Sequence, residues 1–178
     1  MPQCTDPVSP AAAEVAEVWP RDGQILVRLE PTAAPGAERA ALVLSLRGDS
    51  ATARELPFER VGDRLEARIP LTALTAPAGT EPGRAAPGRT APEQHPREWT
   101  WDLYLALGED RGLLRLGRHL DDVQGKKRIF VYPAQHAAGV RVVPYYTIKD
   151  NLSVDCVRDG AIGGAGGGTA HGARKGTR

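Results

Sequence analysis

An all-β chain, folded as an immunoglobulin-like two-sheet antiparallel sandwich, is what the sequence predicts, on three observations. Apolar residues alternate with polar ones over short segments, turn signals separate those segments, and no segment sustains a helical period over an adequate length. Evenly spaced short strands of this kind are the pattern of a sandwich. A doubly covered parallel sheet would instead show continuous apolar runs with helical crossovers between them. A small barrel of similar strand count satisfies the same pattern and is the alternative.

Taken in order, strands are expected near 14–19, 24–30, 40–47, 52–59, 64–71, 98–107, 112–118, 127–132 and 139–149, with a short run at 152–157. In the second, Ile25, Val27 and Leu29 alternate with Gln24, Arg28 and Glu30, although Leu26 interrupts the polar side. In the third, Leu42, Leu44 and Leu46 alternate around Ser45 and Arg47. The clearest cases are Leu65, Ala67, Ile69 and Leu71 against Arg64, Glu66 and Arg68, and Trp99, Trp101, Leu103, Leu105 and Leu107 against Thr100 and Asp102. Each pattern turns one face to a core and one to water, because successive side chains of a strand point to opposite sides. Turns are expected at Arg21-Asp22-Gly23, Arg47-Gly48-Asp49, Val61-Gly62-Asp63, Gly108-Glu109-Asp110 and Gly125, where Gly and Asp supply turn conformations.

The sandwich is assigned to residues 13–157. Residues 1–12 are Pro-rich and polar and are expected to be a disordered lead-in. Residues 75–97 carry five Pro, three Gly and no large apolar side chain, so they read as a disordered loop inserted between two strands. Residues 158–178 hold eight Gly and end in HGARKGTR, the composition of a disordered tail.

A length of 178 residues fits one domain, and a net charge of +1 leaves no global field for nucleic acid or an anionic surface. Cys4 and Cys156 read as two unrelated thiols rather than a disulfide framework. The N-terminus lacks the basic and apolar regions of a signal peptide, and no run approaches the length of a membrane span. A cytoplasmic location is therefore expected.

Candidate chemistry is sparse. His119 with Asp121 and Asp122 would suit a small transferase or metal site, but no third ligand or nucleophile stands at a useful spacing, and the cluster reads as a strand end followed by a turn. Ser45, Ser50 and Ser153 lie in no nucleophile-elbow context. The glycines of Gly163–Gly168 follow no strand–helix unit that would cradle phosphate, so no cofactor is expected. Local charge is more informative. Between Arg111 and Lys149, eight basic residues stand against Asp121 and Asp122, with Tyr132, Tyr145 and Tyr146 among them. Cations beside aromatic faces would hold a phosphate- or sugar-bearing polymer; the competing reading is solvated strand faces with the Tyr rings packed inward. No RNA-binding aromatic signature accompanies the patch.

The order GDRLEARIPL, WDLYL, LRLGRHLDD, KKRIFVYP and PYYTIKDNLSV resembles a β-sandwich module of actinobacterial cell-wall glycopolymer proteins. Such modules lie beside or fused to teichoic-acid type family 2 glycosyltransferases and CDP-glycerol glycerophosphotransferases. The resemblance spans residues 13–157 and implies an accessory module, since the catalytic motifs of those transferases are absent from this sequence. It implies a transferase partner, or an anionic glycan or polyol-phosphate ligand. A contact surface is expected at Arg115, Arg118, His119, Lys126, Lys127, Arg128, Tyr145 and Tyr146. Two alternatives stand beside it: the transferase site around His119, Asp121 and Asp122, and a purely structural interaction or oligomerisation domain.

Overall fold

The computed structural model describes residues 12–30, 39–75, 97–108 and 112–159. The disorder expected of 1–11, 76–96 and 160–178 lies outside the described residues, as does Arg111. Among the described residues eleven strands form: β1 (Ala12–Arg21), β2 (Gln24–Leu29), β3 (Ala40–Leu46), β4 (Asp49–Pro57), β5 (Glu59–Val61), β6 (Arg64–Pro70), β7 (Glu98–Leu107), β8 (Leu113–Gly117), β9 (Gln135–Ala137), β10 (Val140–Tyr146) and β11 (Leu152–Arg158). A 3-10 turn (Leu71–Ala73) and one helical turn, α1 (Lys126–Ile129), complete the described elements. No described helix is long and apolar enough to cross a membrane.

The all-β expectation is met, and the pairing connects every strand into one sheet. One ladder runs β5-β6-β2-β1, antiparallel throughout. The other centres on β7, which pairs along one flank with β3, itself paired to β4. On its other flank β7 meets β11 through Glu98–Asp102 and β8 through Tyr104–Ala106. Strand β10 joins β11, and β9 joins β10. The two ladders are linked by β1, whose Ala12–Glu14 lie parallel to Arg115–Gly117 of β8 before a register shift between Val15 and Glu17 sends the strand to β2. That parallel contact departs from a purely antiparallel sandwich. A bulge makes it possible, because an extra residue bends a strand and re-aims it.

One core lies between the ladders. It takes Val18, Ile25, Val27 and Ile69 from the first and Leu42, Leu44, Trp101, Leu103 and Val154 from the second. Trp99 and Trp101, expected in the core from their alternation, are there, and both indole N–H groups donate to the Leu74 carbonyl, at 2.9 and 3.1 Å. Polar tips inside a core need such partners. Where charge is buried on the first ladder, at Glu66, it is paired on both sides, to Arg28 and Arg68.

Two local expectations are corrected. The strand expected at 127–132 is a helical turn followed by extended chain without a ladder partner, opened by Gly125 at φ 71°. Its alternation is real: Phe130 and Tyr132 pack against Tyr146 while Ile129 and Val131 face water. A period of two reports which side chains are buried, not whether a neighbouring strand exists. The short run at 152–157 is in fact a central strand, hydrogen-bonded to β10 and β7, and Arg158, grouped with the tail by composition, ends it.

Candidate functional site

The site grows from the polar positions of β7. Because Trp101 and Leu103 point into the core, Asp102 points outward, opposite Ser45 of β3 on one side and Ser153 of β11 on the other. Arg47 leaves the end of β3 with its N–H bonded to the Thr100 carbonyl, which aims its side chain back across β7. Arg115 on β8 lies opposite Tyr104, and Tyr145 on β10 lies opposite Ser153. Four strands and a turn thus bring two guanidiniums, a carboxylate and two hydroxyls onto one outer face.

Asp102 is fully engaged. Arg47 grips it with two donors, Nη2 to Oδ1 at 2.6 Å and Nε to Oδ2 at 3.1 Å. Arg115 Nη2 reaches the same Oδ1 at 2.6 Å and its Nη1 donates to the Leu103 carbonyl at 2.7 Å. The buried Ser153 hydroxyl donates to Asp102 at 2.9 Å and accepts from Arg115 and Arg47. Burial alone would raise the Asp102 carboxyl; the Arg47 hydrogen bonds, with Arg115 and Ser153 beside them, hold it below the usual carboxylate range. Burial lowers the Arg115 pKa against the opposing pull of Asp102, and the Asp102 hydrogen bonds raise that of Arg47.

Beside this knot opens a concavity of about 540 Å³ lined by Arg47, Asp102, Arg115, Lys127, Tyr145, Thr147, Ile148, Lys149 and Asn151. Four cations line it against one carboxylate, which is already shared between two of them. Lys127 sits 5.7 Å from the centre of the Tyr145 ring, and Arg47 donates to the Tyr145 hydroxyl at 3.2 Å. The basin is therefore electropositive, edged by the Tyr145 ring and rich in donors, a setting for anionic oxygens. A second concavity, lined by Glu14, Glu30, Asp121, Arg118, Val15 and Leu120, has the opposite balance.

Of the eight residues expected at a contact surface, Arg115, Lys127 and Tyr145 come together in the basin. Arg128 and His119 are exposed outside it. Two are withdrawn from any surface. Tyr146 is buried in the core against Phe130 and Tyr132. Lys126, 2% exposed, is taken up by Asp121 at 2.8 Å, Asp150 at 3.1 Å and the Val123 carbonyl at 2.6 Å. Arg118 pairs with Asp121 and stacks 4.9 Å from the Phe130 ring. Sequence reading missed Arg47, Asp102 and Ser153, whose meeting depends on strand register.

The His119, Asp121 and Asp122 cluster assembles as a turn. The His119 backbone N–H donates to Glu14, Asp121 accepts from the Val123 N–H besides its two ion pairs, and Asp122 is exposed. Among the described residues, no group of three or more His, Cys, Asp or Glu is placed to hold a metal ion. Cys156 is buried with its thiol free and pushed up to about 12 by burial; Cys4 lies outside the described residues. Lys126 foremost, then Arg118 and the Val123 N–H, pull the Asp121 carboxyl down to about 2. A carboxyl lowered on folding contributes stability that is present above its unfolded value and lost as pH falls through the folded one. The loop around Asp121 is thus expected to loosen as the pH drops from about 4 towards about 2. A lower amide protection factor at Val123 in that window, taken against the intrinsic exchange rate at each pH, would report it, and unchanged protection would contradict it.

Fold and site together define a β-strand module with a cationic, tyrosine-edged basin. Its fold is shared with solved structures of Staphylococcus aureus TarS, a teichoic acid glycosyltransferase. The chain matches the 217–571 portion of TarS with a TM-score of 0.51 at 15% identity, over 82% of this chain and 38% of that one. The match to the longer TarS structure has the same TM-score and identity and covers 24% of it. The chain therefore spans well under half of the solved chains it matches, and at this identity the likeness is one of fold. No family model matches the sequence, and no curated protein matches it.

Proposed function

We propose that the chain is a non-catalytic accessory module of cell-wall glycopolymer synthesis that holds an anionic polyol-phosphate or glycan polymer in the Arg47–Arg115–Lys127–Lys149 basin. The transfer chemistry belongs to a glycosyltransferase or glycerophosphotransferase partner, and the complex works in the cytoplasm at the inner face of the membrane. The carrying observation is the saturation of Asp102: its charge is spent on Arg47 and Arg115, so the basin keeps a net excess of cations, with Lys127 and Lys149 exposed to solvent. Phosphodiester oxygens would meet the guanidinium and ammonium groups, and the Tyr145 ring would pack against the polyol or sugar. The fold likeness to part of a teichoic acid glycosyltransferase and the motif order in the sequence support the same reading.

Isothermal titration with poly(glycerol phosphate) at low and moderate salt tests it. Binding is expected, weakening as salt screens the exposed cations. Lys127→Glu with Lys149→Glu, both exposed and safe for the fold, is expected to weaken it by about tenfold, equivalent to ~1.4 kcal/mol. Absence of binding, or an affinity indifferent to the double reversal, would remove the basin from consideration.

A further inference from the structure

Seven large apolar side chains stand exposed among the described residues, and four of them cluster in two neighbouring segments: Leu120 at 83%, Ile129 at 59%, Val131 at 78% and Ile148 at 90%. The segments are stitched together at one end of the fold. Lys126 bridges Asp121 of the first to Asp150 of the second, the Arg118 N–H donates to the Asp150 carbonyl at 2.9 Å, and Gly117 pairs with Asn151. The turn that carries Ile148 is rigid. Thr147 and Asn151 exchange backbone and side-chain hydrogen bonds across it, and Asp150 takes a positive φ of 57° to close it. Ile148 is thus held out in water by design of the turn rather than left there by a loose chain.

Cations flank two of these tips. Lys127 and Arg128 precede Ile129 on α1, Lys149 follows Ile148, and all three are exposed. Ile129, Val131 and Ile148 protrude singly, whereas Leu120 faces the acidic concavity of Glu14, Glu30 and Asp121. A protein partner is met by a contiguous apolar patch with a polar rim, whereas a bilayer interface accepts isolated apolar tips below its headgroups while Lys and Arg meet lipid phosphates. Charge complementarity thus selects the lipid surface. We propose that this end of the molecule docks directly on an anionic bilayer, with Ile129, Val131 and Ile148 entering the acyl boundary and Lys127, Arg128 and Lys149 at the phosphate level. Because Ile148 and Lys149 also line the basin, its mouth would open beside the membrane surface.

Sedimentation of the full chain with phosphatidylglycerol-containing vesicles, against pure phosphatidylcholine vesicles, tests the proposal. The chain is expected to sediment with the first and stay in solution with the second. Ile129→Ser, Val131→Ser and Ile148→Ser combined should cut the partition by about tenfold or more, since each removes exposed apolar surface that the lipid would bury. Its urea denaturation midpoint should match the parent's, since these side chains are exposed, which certifies its fold independently of the basin. A single Ile148→Trp variant is expected to shift its fluorescence to the blue with anionic vesicles only. Equal sedimentation of parent and serine variant, no sedimentation with anionic vesicles, or no blue shift overturns the proposal and leaves the tips to a protein partner. The serine variant reads the tips and the polymer titration reads the basin, so either proposal can fail alone.

Discussion

Trp101→Ala is expected to lower the unfolding free energy by about 3–5 kcal/mol, the range for truncating a large aromatic in a packed core. Trp101 is fully buried and lies on β7, the strand that pairs with β3, β8 and β11. Its ring carries Arg54 5.2 Å from the centroid on one side, and its N–H shares the Leu74 carbonyl with Trp99. The collapse needed to refill the space would have to move a strand held on both flanks, so a cavity persists. Domains of this size are stable by only ~5–15 kcal/mol, so the change takes a large part of the total. Urea denaturation checks it. Trp101→Phe should cost far less, because Trp99 still satisfies the Leu74 carbonyl; equal losses from the two variants would contradict this account.

Asp102→Ala is expected to cost about 2–4 kcal/mol, a little below the range for breaking a fully buried pair, because the site is open on one side. Removing the carboxylate leaves Arg47 and Arg115 facing one another across the Ser153 hydroxyl. Replacement by Asn keeps the shape and loses the charge, and it should separate stability from binding. The fold weakens while the basin gains one unit of positive charge, so poly(glycerol phosphate) should bind more tightly. Acid should mimic the loss. Since folding lowers the Asp102 carboxyl, its contribution is present above the ordinary carboxylate value and disappears as pH falls through the lower folded value. A variant both weaker in stability and weaker in polymer binding would show that Asp102 positions the basin rather than neutralising it.

The elements most legible in the sequence were those that carry their own evidence. Along β7 the residues Trp99, Trp101, Leu103, Leu105 and Leu107 occupy the core as their alternation predicts, and so do Leu65, Ala67 and Ile69 on β6. The motif order likewise pointed to the fold that part of TarS shares. What escaped was whatever depends on two distant segments at once. Asp102 occupies an ordinary outward position on β7, and only the register of β3 and β11 reveals that Arg47 and Ser153 close on it. Lys126, Lys127 and Arg128 read as one cationic run, yet Lys126 is neutralised by aspartates that lie five residues before it and in the β10–β11 turn. Charge counted along the chain overestimates charge presented to a ligand when partners come from elsewhere.

The double membership of β1 also sets the order in which the molecule can be made. Its parallel contact joins Ala12–Glu14 to Arg115–Gly117, so the closing loop holds about a hundred residues and costs roughly 4 kcal/mol of chain entropy plus a constant. Three residue pairs cannot offset that unaided. The β1–β2 and β10–β11 hairpins can form locally, but the seam to β8 must wait until the central ladder has brought its target within reach. Topologies dominated by such distant pairings fold in milliseconds to seconds rather than microseconds. The hydrogen bonds at the very start of the described chain are accordingly expected among the last to form.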